Sequence, residues 1–77
     1  MKYVIEAFDK DTEFLAFEID LPEGCETQVA AVMGWTIPQR GDEGYNLSAE
    51  QATAIEALVR RQFYDSDHIF QLTCNID

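Results

Sequence analysis

The beginning of the chain alternates apolar and polar side chains with the period of two that is typical of β-strands. Residues 2–9 and 13–21 are both rich in aromatic and branched side chains. They predict a β-hairpin whose odd-numbered residues face the core and whose loop lies at residues 10–12. Keeping both apolar faces on one side of the hairpin predicts three pairs there: Tyr3 with Ile19, Ile5 with Phe17, and Ala7 with Leu15.

Two later segments have the helical period instead. The first covers residues 25–33, with Cys25, Val29, Val32 and Met33 on one side. Gly34 can end this helix as a C-terminal cap. The second helix is predicted to begin at Ser48, which forms a capping box with Gln51, and to run to about Phe63. Arg60 and Arg61 are expected in its last turns, where basic side chains suit the helix dipole.

The remaining segments complete the predicted architecture. Residues 68–74 alternate again and predict a last strand, with Phe70, Leu72 and Cys74 facing the core. Residues 35–47 are interrupted by proline and glycine and predict an irregular loop. The chain is therefore expected to form a single domain over residues 1–77, in the order β-β-α-α-β. The fold class that buries every apolar side is α+β, with a three-stranded, mostly antiparallel sheet, two helices packed on one face, and the last strand beside the first.

Charge narrows the classes of partner. Fifteen Asp and Glu oppose five Lys and Arg, so the formal net charge is −10. Such a field repels nucleic acid and anionic membranes, which excludes both as partners, and it attracts a basic protein. No stretch has the length and apolarity of a membrane span or a secretion signal, so a cytoplasmic location is expected. The two cysteines, Cys25 and Cys74, are too few for a disulfide framework and are predicted to be buried.

Two surfaces are candidates for binding a basic partner. One is the outer face of the hairpin, where the predicted register pairs Glu6 with Ala16 and Val4 with Glu18, and where Glu6, Glu18 and Asp20 supply the acids. The other is the loop at residues 35–47, whose candidate residues are Trp35, Asp42, Glu43 and Tyr45. The lone tryptophan of a small domain is also a frequent core residue, and an acidic surplus also serves solubility. The residues leave the oligomeric state open.

Catalytic and metal-binding interpretations find less support in the residues. His68 stands alone, and Ser48 and Ser66 are explained as a helix cap and a turn residue. Residues 9–20 begin like a calcium loop, but Phe14 occupies the position of the required glycine. We therefore predict no catalytic residue, no cofactor and no metal site.

Four segments also resemble a known group of proteins. They are KYVIEAFDKDTEFLAFEIDLPEG, MGWTIPQ, EGYNLS and FQLTCNID, and together they cover nearly the whole chain. They resemble a family of small bacterial proteins that are associated with polymorphic toxins and bacteriocins and are taken to be immunity proteins. The resemblance implies a protein that binds and neutralises a basic toxin domain by stoichiometric occlusion. It carries over no catalytic residue, and Asp42 stands where the family has an aromatic residue.

A nuclease is the expected class of toxin, because nucleases are basic in order to bind phosphates. Three other functions compete with immunity. The protein could be an acidic adaptor for a basic cellular protein, a mimic of nucleic acid that blocks a DNA-binding protein, or an enzyme that uses His68. Rescue from a toxin would favour immunity, and competition by duplex DNA would favour mimicry.

Overall fold

A computed structural model describes residues 1–76 of the protein. It contains four strands and two helices, namely β1 (Lys2–Asp9), β2 (Leu15–Asp20), α1 (Glu26–Met33), β3 (Gly44–Asn46), α2 (Ala49–Val59) and β4 (His68–Asn75). The expected α+β class, with two helices and an antiparallel sheet, is confirmed. The expectation of three strands is wrong, because the described residues form a four-stranded sheet in the order β2-β1-β4-β3.

The extra strand lies in the segment that the sequence predicted to be irregular. β3 has only three residues and pairs with β4 in antiparallel register, with Tyr45 opposite Leu72. Two further backbone bonds flank it, from the Leu47 N–H to the Phe70 carbonyl and from the Cys74 N–H to the Glu43 carbonyl. A strand this short has too few residues to show an alternating pattern, and long-range pairing decides it.

The hairpin has the predicted faces but a different register. Ile5 is opposite Ile19 and Ala7 is opposite Phe17, a shift of two residues from the prediction. The turn is longer than predicted because the Asp9 carboxylate accepts the N–H groups of Asp11 and Thr12, which also lower its pKa below the ordinary value. A bulge then adds one residue to β2 before Phe17. As a result Leu15, predicted to be in the core, is 47% exposed.

Both helices begin as predicted, and the second ends early. Gly34 caps α1 in the left-handed conformation, and Ser48 and Gln51 form the capping box of α2. The predicted extension of α2 to Phe63 is wrong, because Arg60 has a φ of 55° and ends the helix after Val59. Arg60 and Arg61 therefore do not lie in the last turns. The Glu56 carboxylate accepts the N–H groups of Phe63 and Tyr64, which fixes the chain beyond the helix.

The core lies between one face of the sheet and the two helices. Its buried residues include Tyr3, Ile5, Ala7 and Ile19 from the hairpin, Val29, Ala52 and Ile55 from the helices, and Phe70, Leu72 and Cys74 from β4. The last strand pairs with β1 along its whole length, as predicted. Both cysteines are free and buried, and burial raises the pKa of the Cys74 thiol to about 11 and also raises that of Cys25.

The left-handed conformation of Arg60 leads to a stability prediction. Glycine adopts this conformation without the steric cost that a side chain carries, so Arg60→Gly is expected to stabilise the protein by about 1 kcal/mol. Urea unfolding of the variant measures this. Arg61→Gly is the matched control, since it removes the same side chain next to the cap at a residue whose φ is not positive. Equal effects of the two substitutions would contradict the explanation.

Candidate functional site

The sheet face that points away from the helices carries the acidic residues of the hairpin. We call it the open face. It consists of Lys2, Val4, Glu6 and Phe8 of β1, Glu18 and Asp20 of β2, Gly44 and Asn46 of β3, and Ile69, Gln71, Thr73 and Asn75 of β4. The core residues of both helices pack on the other side of the sheet. On the open face, Glu18, Asp20 and Ile69 are exposed. This surface is available to a partner.

Two carboxylates meet near the centre of the open face. Glu6 is directly opposite Glu18, where the sequence had predicted Ala16 opposite Glu6. The Leu21 N–H bonds to the Tyr3 carbonyl, so by the alternation of an antiparallel ladder Glu6 and Glu18 form a non-hydrogen-bonded pair. In such pairs the side chains are closest to one another. Partial burial raises the pKa of Glu6 above its ordinary value, and the charge of Glu18 and a hydrogen bond to it raise it further.

The surroundings of this pair are mixed in character. Asp20 extends the acidic row and is opposite Val4. A depression joins these residues, and it is lined by Lys2, Val4, Glu6, Glu18, Asp20, Thr73 and Asn75. Farther along the sheet, Phe8 of β1 is opposite the 45%-exposed Ile69 of β4. The open face therefore combines a cluster of negative charge with a neighbouring apolar patch.

The raised pKa of Glu6 leads to a pH-dependent prediction. A carboxyl group whose pKa is higher in the folded state favours folding while it is protonated, and this contribution is lost as pH rises through the folded pKa. Glu6→Gln is therefore expected to stabilise the protein by about 0.5 kcal/mol at pH 7, because it removes the cost of partly burying a charge and the solvent-screened repulsion from Glu18. The gain should vanish at a pH below the ordinary carboxyl value of 4.5.

Urea unfolding at pH 7 and in acid measures this effect. The control is Asp20→Asn, because Asp20 has the apolar Val4 as its cross-strand neighbour rather than another acid. We expect the control to change stability little at either pH. A loss of stability in Glu6→Gln at pH 7 would show that the two carboxylates do not repel one another.

The acids of the second candidate surface have local partners. The Glu43 carboxylate accepts hydrogen bonds from the N–H groups of Arg40 at 2.8 Å, Gly41 at 2.9 Å and Asp42 at 3.1 Å, and these bonds lower its pKa below the ordinary value. The Arg40 guanidinium also lies 3.8 Å from both Asp42 and Glu43. Glu43 thus holds the loop in shape, while Asp42 keeps an exposed side chain.

The aromatic residues of that surface lie at the edge of the core. The Trp35 ring is 5.3 Å from Tyr45 and 6.1 Å from Tyr3, which is buried, so the interpretation of Trp35 as a packing residue is supported. The Tyr45 hydroxyl donates to the Gln39 side chain. Tyr45 is opposite the buried Leu72 and therefore points to the helix side of the sheet. The structure consequently places the seven predicted residues on two separate surfaces, with Glu6, Glu18 and Asp20 together on the open face.

His68 is engaged with its neighbours. Its Nδ1 lies 2.8 Å from an Asp65 carboxylate oxygen, and this hydrogen bond lowers the pKa of Asp65. Its ring packs against Phe17 at 5.5 Å and Phe70 at 6.1 Å. Ser48 is engaged in the cap of α2. The histidine therefore has a packing role and an acidic neighbour in the turn before β4.

Comparison with known protein families places most of the chain in one group. Residues 2–73 match the model of a domain of unknown function, DUF7683. The chain belongs to this family. No curated protein matches this DUF7683 member. Within residues 1–76, neither helix has the length and apolar character needed to cross a membrane.

Sequence reasoning missed two features of the open face. It did not predict the Glu6–Glu18 pair, because a two-residue shift keeps every side chain on its face while changing every partner. It also did not assign Ile69 to a surface patch. The alternation at residues 68–74 nevertheless places the Ile69 side chain on the opposite face of the sheet from that of Phe70. The strand period itself could have predicted this, because it assigns residues to the exposed face of a strand as well as to the buried face.

Proposed function

We propose that this DUF7683 member binds and neutralises a basic protein and that the open face is its binding surface. Following the resemblance described above, the proposed partner is a bacterial toxin domain, a nuclease, and the proposed mechanism is stoichiometric occlusion. The observation that carries the proposal is the pair of facing carboxylates, Glu6 and Glu18, on the exposed side of the sheet.

A facing pair of acids lowers the stability of a sheet, since like charges directly opposite one another repel. A lysine or arginine from a partner would remove that repulsion and gain charge-assisted hydrogen bonds to both carboxylates. Asp20 would provide a further contact on the same strand. The arrangement is unfavourable in the isolated protein and favourable in a complex with a cation, which supports a role in binding.

The apolar part of the open face supports a protein as the partner. Protein interfaces combine an apolar centre with a polar rim, and Phe8 and Ile69 next to the acids supply such a combination. The net charge of −10 would also speed the encounter with a basic partner. Trp35, Asp42, Glu43 and Tyr45 would lie outside this interface. Tyr45 and the neighbouring Trp35 ring lie on the helix side of the sheet, and Asp42 and Glu43 lie in the loop before β3, the edge strand opposite β2.

Co-expression tests the proposal. The genes beside its own are searched for a toxin domain, the chain is produced together with that domain, and growth and co-purification are measured. Restored growth with a one-to-one complex supports immunity. Continued growth inhibition without a complex contradicts it. Binding to a basic protein without rescue would instead indicate the acidic adaptor, and a complex that duplex DNA displaces would indicate a nucleic-acid mimic.

A further inference from the structure

The outer edge of β2 has no partner strand within residues 1–76. β2 is the first strand in the sheet order and pairs with β1 alone. Because Tyr3 and Leu21 are a hydrogen-bonded pair, the backbone groups of Ile19 and Phe17 also point toward β1. The N–H and carbonyl groups of Glu18 and Asp20 therefore point outward, to the free edge.

A groove runs along this edge on the helix side. Its lining has apolar residues from the strand region and the end of α2, and charged residues of both signs. The apolar residues are Ile19, Leu21, Pro22, Leu58 and Val59, and the charged residues are Glu18, Asp20, Arg60 and Arg61. Leu58 and Val59 are only partly buried, although they pack against the core. A strand added beside β2 would cover these apolar side chains with every second residue. Its other residues would lie on the open face, beside Glu18 and Asp20.

We propose that the partner adds a β-strand to the edge of β2, and that this strand alternates basic and apolar residues. This proposal rests on the proposed function and specifies how the basic partner binds. The basic residues would contact Glu18 and Asp20, and the apolar residues would enter the groove beside Leu58 and Val59. The outward N–H and carbonyl groups of Glu18 and Asp20 would form the backbone bonds.

A second copy of the chain is the wrong occupant for this edge. Pairing two β2 edges would place Glu18 and Asp20 of one copy beside the same acids of the other, and each copy has a net charge of −10. Charged residues on an edge strand are a known protection against such self-pairing. The same charges favour a basic strand, so they select the partner as well as preventing self-association.

The probe for this proposal is a synthetic peptide in which lysine and valine alternate. Two control peptides accompany it: one has the same residues in two separate blocks, and one replaces lysine by glutamate. Binding is followed by NMR, together with the hydrogen exchange of the Glu18 and Asp20 amides. We expect the alternating peptide to bind best and to slow exchange at these two amides about tenfold or more.

Two N-methylated forms of the peptide test the geometry without changing its charge. One form carries the methyl groups on the lysines and the other on the valines, so that each form blocks the N–H groups of one edge only. A peptide strand added to β2 uses the backbone N–H groups of only one of its own two edges. We therefore expect the form methylated on that edge to bind at least about tenfold more weakly, while the other form retains its affinity.

The possible results separate this proposal from the proposed function. Equal binding of the block peptide, or equal effects of the two N-methylated forms, would overturn strand addition while leaving a basic partner in place. Failure of every lysine peptide to bind would overturn strand addition, while the co-expression experiment would still decide the proposed function. Slow exchange at Glu18 and Asp20 that depends on protein concentration without peptide would show that a second copy occupies the edge and would also overturn the proposal.

Discussion

Replacing Glu18 and Asp20 together by lysine is expected to weaken binding of the proposed basic partner by about 100-fold, because removing one side of close charge pairs at an interface commonly costs about 2–5 kcal/mol. Both side chains lie on the exposed edge strand of the open face, and Glu18 is next to Glu6. The variant would present repulsive lysines to a basic partner. Isothermal titration measures the affinity, and stopped-flow mixing measures the association rate at several salt concentrations.

The control for this experiment is Asp42→Lys combined with Asp11→Lys. It changes the net charge by the same amount, but its substitutions lie in the loop before β3 and at the tip of the hairpin. We expect the control to reduce the association rate through long-range electrostatics and to leave the dissociation rate nearly unchanged. If both variants lose affinity equally, the open face is not the interface and the acidic charge acts only at long range.

The second large effect is expected from Leu72→Ala. Leu72 is fully buried in β4 and lies between Ile5 of β1 and Tyr45 of β3 in the sheet. Truncating a buried leucine leaves a cavity and typically costs about 2–5 kcal/mol. A small domain has total stability of only about 5–15 kcal/mol, so the variant should unfold at much lower urea concentration.

Ile69→Ala is the matched control on the same strand. Ile69 is 45% exposed on the open face, and its truncation is expected to change stability by less than about 1 kcal/mol. The control has a second use, because Ile69 belongs to the proposed interface and its loss should weaken partner binding. Similar losses of stability in both variants would mean that the open face is covered rather than free.

The predicted features that proved correct are those that a single local rule decides. Ser48 and Gln51 form a capping box whose two hydrogen bonds lie within four consecutive residues. Gly34 ends α1 because glycine adopts the left-handed backbone conformation most easily. The period of two assigned each strand residue to the core face or to the open face. Every pairing register that preserves this period assigns the residues to the same faces. The acids Glu6, Glu18 and Asp20 could therefore be assigned to one surface from the sequence.

The features that proved wrong depend on competition between local geometry and distant pairing. Asp9 binds two backbone N–H groups of the turn, and the longer turn together with the bulge before Phe17 shifts the register by two residues. Arg60 adopts a conformation that favours glycine, because the Glu56 carboxylate holds the following segment. β3 exists only through its bonds to β4. None of these outcomes has a periodic signal in the residues.

The deep placement of the two thiols has a practical consequence for mapping the interface. Thiolates, not thiols, react with maleimides and disulfide reagents, and Cys74 with a pKa of about 11 has almost no thiolate near neutral pH. Burial also raises the pKa of the Cys25 thiol, so it too is mostly protonated and unreactive near neutral pH. A cysteine introduced at an exposed residue such as Asp20 would therefore be labelled or cross-linked selectively in the wild-type background. Neighbouring proteins could be trapped at single chosen residues without first removing either native sulfur.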